Sequence, residues 1–251
     1  MIIYLKSKEE IEGFREAGRI SHKILGLIFE EIKPGITTNF LNEVAMEECK
    51  KNNVSPTFLG YHGFPAAICT SVNDILVHGI PSDYSLKEGD LITVDLGVTL
   101  DGFIGDIAQT LVVGEGILEN IDLLRQCNFT LVHSIGYAKP GNKLSDICKD
   151  ILHCAKSGGY NVPMNYGGHG IDKYKLHAYP FIPCHTERLE DVTLRPGMVL
   201  AVEPMLINGK GTTKTLDDKW TVQTDGMSAH FEATILVTDG EVEILTQGEK
   251  Q

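Results

Sequence analysis

An internal repeat is the strongest constraint on how this chain can fold. Leu86-Lys-Glu-Gly-Asp-Leu-Ile-Thr-Val-Asp95-Leu96 is matched by Leu194-Arg-Pro-Gly-Met-Val-Leu-Ala-Val-Glu203-Pro204, in which the same Leu-basic-x-Gly turn feeds an apolar run ending on a carboxylate 108 positions later. Lys33-Pro34-Gly35 returns as Lys139-Pro140-Gly141, an offset of 106, and Asp106-Ile-Ala-Gln-Thr-Leu-Val-Val is answered by Glu232-Ala-Thr-Ile-Leu-Val-Thr. Three ordered matches predict a single domain over 1–251, built from two similar halves at about 1–115 and 116–251 that close on one core.

Each half reads as two helices followed by strands. Ser7-Lys-Glu-Glu10 forms a capping box, and Ile11, Phe14, Gly18, Ser21, Leu25 and Ile28 recur at helical spacing until Pro34-Gly35. Thr38 caps a second helix with Phe40, Leu41, Val44, Ala45 and Cys49 on one face. The plan returns from Leu118 to Ala138, then from a Ser145 cap through Ile147, Ile151, Leu152 and Ala155. β-Branched runs from Leu91 to Val98, Phe103 to Val113, Met198 to Leu206 and Ala229 to Val237 read as strands. The fold class is α+β, with helices packed on one side of a curved antiparallel sheet.

The strands carry the chemistry. Asp101-Gly102 is a two-residue hairpin signal, because a type I′ turn needs positive φ at both positions. Residues whose numbers sum to 203 then face each other, so Asp95 pairs with Ala108 and Asp106 with Gly97. The two carboxylates become diagonal neighbours on one face, with Cα atoms on the order of 7 Å apart. Asp95 and Glu203 interrupt apolar runs, where an unpaired buried charge costs several kcal/mol and demands compensation. His169, in Gly167-Gly-His-Gly170, sits in a glycine-rich loop open to a ligand. Asp95, Asp106, His169, Glu203 and Glu232 make an oxygen-rich set suited to two ions of Mn(II), Fe(II), Co(II) or Zn(II), whose charge balances four carboxylates. The pattern is that of a two-metal hydrolase.

Bulk properties exclude other classes. A net charge of -12 without any Lys/Arg run argues against nucleic acid and anionic membranes as partners. No stretch reaches the roughly 20 apolar residues of a membrane span, and the N-terminus lacks a secretory pattern, so a cytoplasmic protein is expected. Cys49, Cys69, Cys127, Cys148, Cys154 and Cys184 show no Cys-x-x-Cys spacing and read as reduced, mostly buried thiols. There is no Gly-x-Ser-x-Gly, no phosphate-binding loop and no His-Glu-x-x-His.

Tyr61-His-Gly-Phe-Pro65, Ser71-Val-Asn-Asp-Ile-Leu-Val-His78-Gly-Ile-Pro81, Val94-Asp-Leu-Gly97, Gly168-His-Gly-Ile171, Glu203-Pro-Met205, Lys219-Trp-Thr221 and Ser228-Ala-His-Phe-Glu232 occur in order along nearly the whole chain. In these motifs the chain resembles the type I methionine aminopeptidases of the pita-bread fold. The resemblance implies that Asp95 chelates one metal ion, that Asp106 and Glu232 bridge, and that His169 and Glu203 hold the other. It implies that His78 contacts the substrate N-terminus or scissile amide, and that His177 polarises the scissile carbonyl. One departure is visible: His169-Gly-Ile-Asp-Lys-Tyr-Lys-Leu-His177-Ala-Tyr-Pro180 is one residue longer than the family pattern and has Ala178 where Glu is usual. The segment from Asp172 to Pro180 is therefore expected as a lengthened loop. Phe58, Tyr61, Phe64, Cys69, Leu176 and Trp220 match the family's closed methionine pocket, whose aromatic and sulfur-bearing walls suit a thioether. Asn73, Ile75 and Ser228 match its monovalent-cation site.

The activity implied is removal of the initiator methionine from peptides and nascent chains with a small second residue. Water is activated between two divalent ions, and Glu203 relays its proton. A monomer is expected by resemblance, and ribosome contact is not written in the sequence. Two alternatives stay open: an Xaa-Pro peptidase of the same fold, against which stands the short run of about 90 residues before Asp95, and a noncatalytic binding protein, against which stand five retained ligands.

Overall fold

The computed structural model describes residues 2–187 and 189–248. Four helices, α1 (Lys8–Glu30), α2 (Thr38–Lys51), α3 (Leu118–Ile135) and α4 (Leu144–Ser157), alternate in pairs with antiparallel strands. The capping box of α1 forms as read, with Glu10 N donating to Ser7 Oγ at 3.2 Å and Ser7 N to Glu10 Oε2 at 2.8 Å.

Two caps differ from the sequence reading. Thr37, not Thr38, caps α2 by accepting from Phe40 N at 3.2 Å, while Thr38 is turned inward onto Ser82 O at 3.0 Å. Ser145 lies inside α4, where its N–H and hydroxyl both donate to Asp191. The start of α4 is held instead by Asp146, whose carboxylate accepts from Lys143 N at 2.8 Å. A threonine pair and a neighbouring carboxylate offer competing acceptors, and contacts distant in sequence decide between them.

The repeat is reproduced bond for bond at its turns. Gly35 N donates to Leu86 O at 2.7 Å and Gly141 N to Leu194 O at 3.0 Å; Gly89 N donates to Val113 O and Gly197 N to Val237 O at 2.8 and 2.9 Å. Strand Leu91–Leu100 pairs with Phe103–Val112 and with Cys69–Val72 in the first half. In the second, Gly167–Asp172 lies between Lys175–Pro183 and Val199–Val202, with Ala233–Leu236 beyond.

Two of the expected strands are each broken in the middle. Val199–Val202 stops at Glu203-Pro204 before Met205–Asn208 resumes, and Met227–His230 stops at Phe231-Glu232 before Ala233–Leu236. Pro204 has no N–H for a ladder, and the breaks lie together, with Phe231 N donating to Pro204 O at 3.3 Å. A metal-ligand candidate therefore sits at each break, freed from the regular pleat.

Two apolar clusters divide largely between the halves, one around Ile24, Leu41, Ile92 and Leu96, the other around Leu123, Ile147, Ile151 and Leu200 and reaching Leu76, Val77 and Leu91 of the first half. A third cluster, including Phe14, Phe58, Ile104, Ile171, Leu176 and Leu236, joins them. The seam is stitched by backbone and hydroxyls: Asp106 N donates to Thr234 Oγ1 at 2.9 Å, Thr234 Oγ1 donates to Asp106 O at 2.8 Å, and Glu232 N donates to Ala108 O at 2.8 Å.

Candidate metal centre and substrate cavity

The Asp101-Gly102 turn has φ of 51° and 87°, and the register it sets places Asp95 opposite Ala108 and Gly97 opposite Asp106. Glu203 and Glu232 enter from the strand breaks. His169 is not in a loop: Gly167–Asp172 is a strand, with His169 opposite both Phe181 and Ala201. A side chain at Gly168 would collide with the carbonyl of Ala201, so the glycines allow close strand approach rather than an open loop.

The five side chains converge. One ligand atom each from Asp106, His169 and Glu232 lie within 4.8 Å of one another. His169 Nε2 is 3.6 Å from Asp106 Oδ2 and 3.7 Å from Glu203 Oε1. His169 Nδ1 donates to Gly170 O at 3.0 Å, which leaves Nε2 with its lone pair facing the carboxylates, the tautomer a metal ligand needs.

The donor set fits divalent ions. Asp95 Oδ1, Asp106 Oδ1 and Glu232 Oε1 are buried with no hydrogen-bond partner, and buried carboxylate oxygens without partners are rare. Burial, then Asp95 and Glu203, push Asp106 well above the usual carboxylate range, and burial with Asp106 does the same for Glu232. Burial, opposed by His230 and reinforced by Glu203, raises Asp95 to about 7. Glu203 goes the other way: burial pushes it up, but His230, His169 and His177 together hold it below its ordinary value.

A stability prediction follows for metal-stripped protein. The folded state holds protons on Asp106 and Glu232 to higher pH than the unfolded chain does, and Asp95 titrates at about 7, so stability falls as pH rises through the range of the folded groups. Between about pH 7 and 8.5, above the ordinary histidine range and below that of thiols, denaturant melts should show that fall, on the order of a few kcal/mol. Saturating divalent ion should abolish the slope. A flat profile without metal would contradict the crowded-carboxylate account.

His230 is the residue the sequence reading passed over. It is buried, and its Nε2 is 3.3 Å from Glu203 Oε2. Its position two residues before Glu232 was the available signal, since alternation along an extended segment points both side chains the same way.

The carboxylates form the floor of a cavity of about 880 Å³ whose walls include Phe58, Tyr61, Phe64, Cys69, Leu176 and Trp220, with His78 and His177 also lining it. Phe64 and Trp220 meet edge to face at 5.1 Å, and His78 lies 6.3 Å from Trp220. Burial pushes His78 below the usual imidazole range.

The segment from Asp172 to Pro180 is a hairpin arm, not a lengthened loop. Lys175–Pro183 pairs with Gly167–Asp172 through register shifts on either side of Gly170. These bulges absorb irregular length and keep His177 at the site, its ring 4.4 Å from that of His169. Tyr61 Oη lies 2.8 Å from His177 Nδ1. Burial raises the Tyr61 phenol, so it keeps its proton; with that proton given to Nδ1, a neutral His177 carries its own on Nε2. Partial withdrawal from water, then His169, push His177 down to about 4, so the ring is neutral at neutral pH.

Apart from the cavity, Ser228 Oγ lies 3.1 Å from Asn73 O and 3.2 Å from Ile75 O and shares its one proton between them, so the three residues of the candidate monovalent site meet.

A buried carboxylate and imidazole cluster at the seam of a two-halved α+β fold is the mark of a metallohydrolase, and the family model for metallopeptidase family M24 matches residues 12–239. The chain belongs to that family. It is 41% identical over 247 residues to the methionine aminopeptidase of Clostridium perfringens, covering 98% of this chain and 99% of that one. The crystal structure of methionine aminopeptidase from Thermotoga maritima superposes with a TM-score of 0.95 at 38% identity, covering 98% of this chain and 100% of that one. The pita-bread fold implied by the motifs is the fold of this chain. The prolidase from Pyrococcus furiosus gives a TM-score of 0.77 at 24% identity, with 98% of this chain matching 66% of that one, and shares the fold alone.

Proposed function

We infer that this protein removes N-terminal methionine from peptides whose second residue is small. The observation that carries the reading is the pairing of partnerless buried carboxylates on the cavity floor with walls of Phe58, Tyr61, Phe64, Cys69, Leu176 and Trp220. Such walls take up an unbranched thioether through dispersion and sulfur–aromatic contacts. The near-complete coverage of the Clostridium and Thermotoga enzymes supports the same substrate class.

Asp95, Asp106, His169, Glu203 and Glu232 would hold two divalent ions, which when bound supply Lewis acidity to activate water and polarise the peptide carbonyl. The chain's own groups do the rest. Glu203, kept ionised by the histidines around it, accepts a proton from the attacking water and returns it to the leaving amine. His177, with its proton on Nε2, donates to the oxygen that gains charge, at no cost in reorganisation because Tyr61 already holds the ring. His78 faces the same cavity from a backbone with φ of 59°, and we assign it to the scissile amide.

Tyr61→Phe should lower kcat about tenfold with KM little changed, a loss of about 1.4 kcal/mol felt only in the transition state. An equal rise in KM instead would make Tyr61 a mere wall of the cavity.

The deciding experiment is release of free methionine from Met-Ala-Ser by metal-stripped protein, titrated with Mn(II), Fe(II), Co(II) and Zn(II), beside Met-Pro, Ala-Pro and Leu-Ala-Ser. Metal-dependent release confined to N-terminal Met is the expected result. Preference for Ala-Pro would establish an Xaa-Pro peptidase, and inactivity with every ion despite binding would establish a noncatalytic protein.

A further inference from the structure

A second group of metal-ligating side chains lies between α3 and α4, and none of its members lines the catalytic cavity. His133, in the last turn of α3, faces Asp150 and Cys154, which are one turn apart on α4. His133 Nδ1 is 2.8 Å from Asp150 Oδ2, Cys154 Sγ is 3.7 Å from the same oxygen, and Sγ is 3.8 Å from Nδ1.

We propose that His133, Asp150 and Cys154 form a metal site separate from the catalytic centre, taking a borderline divalent ion of the Zn(II) class and clamping α3 to α4. A tetrahedral ion with bonds to nitrogen, oxygen and sulfur sets its donors roughly 3.3 to 3.6 Å apart. The two edges that include sulfur are within a few tenths of an ångström of that range. The imidazole–carboxylate edge must open, and the imidazole is the mobile partner: the His133 side chain is 46% exposed while that of Asp150 is 6% exposed. That exposure is also the entry path and leaves the fourth position to water.

The surroundings hold the donors in place. Phe129 stacks on the His133 ring at 5.4 Å and 26°, and Gln126 Nε2 donates to Cys154 O at 2.8 Å, tying α3 to α4 beside the thiol. A hydrogen bond accounts for His133 and Asp150, and Cys154, buried with its thiol donating to Asp150 Oδ2 at 3.7 Å, adds the third donor that a metal site needs. One thiolate, one imidazole and one carboxylate favour Zn(II) or Co(II) over Mg(II) or Ca(II). On binding, the Cys154 thiol gives its proton to solvent and the thiolate becomes the ligand. Burial, then Asp150, push that thiol up to about 11, so without metal it stays protonated.

Cobalt separates this site from the catalytic one, whose five candidate ligands include no sulfur. Metal-stripped full-length protein, kept reduced with a phosphine, is titrated with Co(II) and followed through the near-ultraviolet thiolate-to-cobalt charge-transfer band. The band should saturate at the amplitude of one cobalt–thiolate bond per chain, with up to two further equivalents taken up by the catalytic ligands without adding to it, disappear in Cys154→Ser and His133→Gln, and persist in Cys69→Ser. His133→Gln changes a half-exposed residue, so its result does not hinge on core packing, and it should leave turnover at the wild-type value. Absence of the band from the wild type, or its survival in Cys154→Ser or His133→Gln, would overturn the proposal whatever the peptidase assay gives.

Discussion

Glu232→Gln lowers kcat/KM for Met-Ala-Ser by about a thousandfold or more, the several kcal/mol expected when a ligand of the catalytic ions loses its charge. The substitution keeps the side chain's volume, and the backbone bond from Glu232 N to Ala108 O that closes the seam is untouched. It also removes one of four crowded carboxylates, so the metal-free variant melts no lower than metal-free wild type. That combination, less activity and less bound metal with undiminished stability in the absence of metal, separates loss of a ligand from loss of the fold. Steady-state kinetics, elemental analysis of bound metal and melts in chelator read the three quantities. Full turnover, or a variant that melts well below the wild type without metal, would contradict the assignment.

His177→Ala gives the second large effect, a fall in kcat of about a hundred- to a thousandfold, the range seen when one donor to a developing oxyanion is removed. Metal content is unchanged, because no ligand role is assigned to His177, and KM moves little, because the interaction strengthens only as charge develops. The pair with Tyr61 sharpens the expectation. If the tyrosine acts by orienting the imidazole, the double variant with Tyr61→Phe is no slower than His177→Ala alone. Independent, additive losses would assign Tyr61 a separate role, and wild-type turnover in His177→Ala would remove the imidazole from the mechanism.

The hairpin at Asp101-Gly102 was legible because both its cause and its consequence are local. A two-residue turn with positive φ sets the register of the strands it joins, and the register aligns Asp95 with Asp106. The repeat was legible for a similar reason: the glycine turns at Gly35 and Gly141, and at Gly89 and Gly197, need left-handed backbone wherever they occur. The caps at Thr37 and Asp146 were not, because Ser82 and Asp191, distant in sequence, take the groups that would otherwise have capped. The strand reading of Gly167–Asp172 was hidden by its glycines, which signal a loop when seen alone and close strand packing when Ala201 lies alongside.

Residue types and spacing alone determined the two halves, the hairpin and the five candidate ligands, since turn chemistry and apolar periodicity act over a few residues; the walls of the cavity were implied by the resemblance of whole motifs. The tertiary structure alone decided the rest: the breaks at Glu203 and Glu232, the contact of His230 with Glu203, the hydrogen bond from Tyr61 to His177, and the meeting of His133 with Asp150 and Cys154. Each depends on groups brought together by closure of the seam or by packing of one helix on another. No local rule specifies such distances; they are set by the shape of the core between the elements.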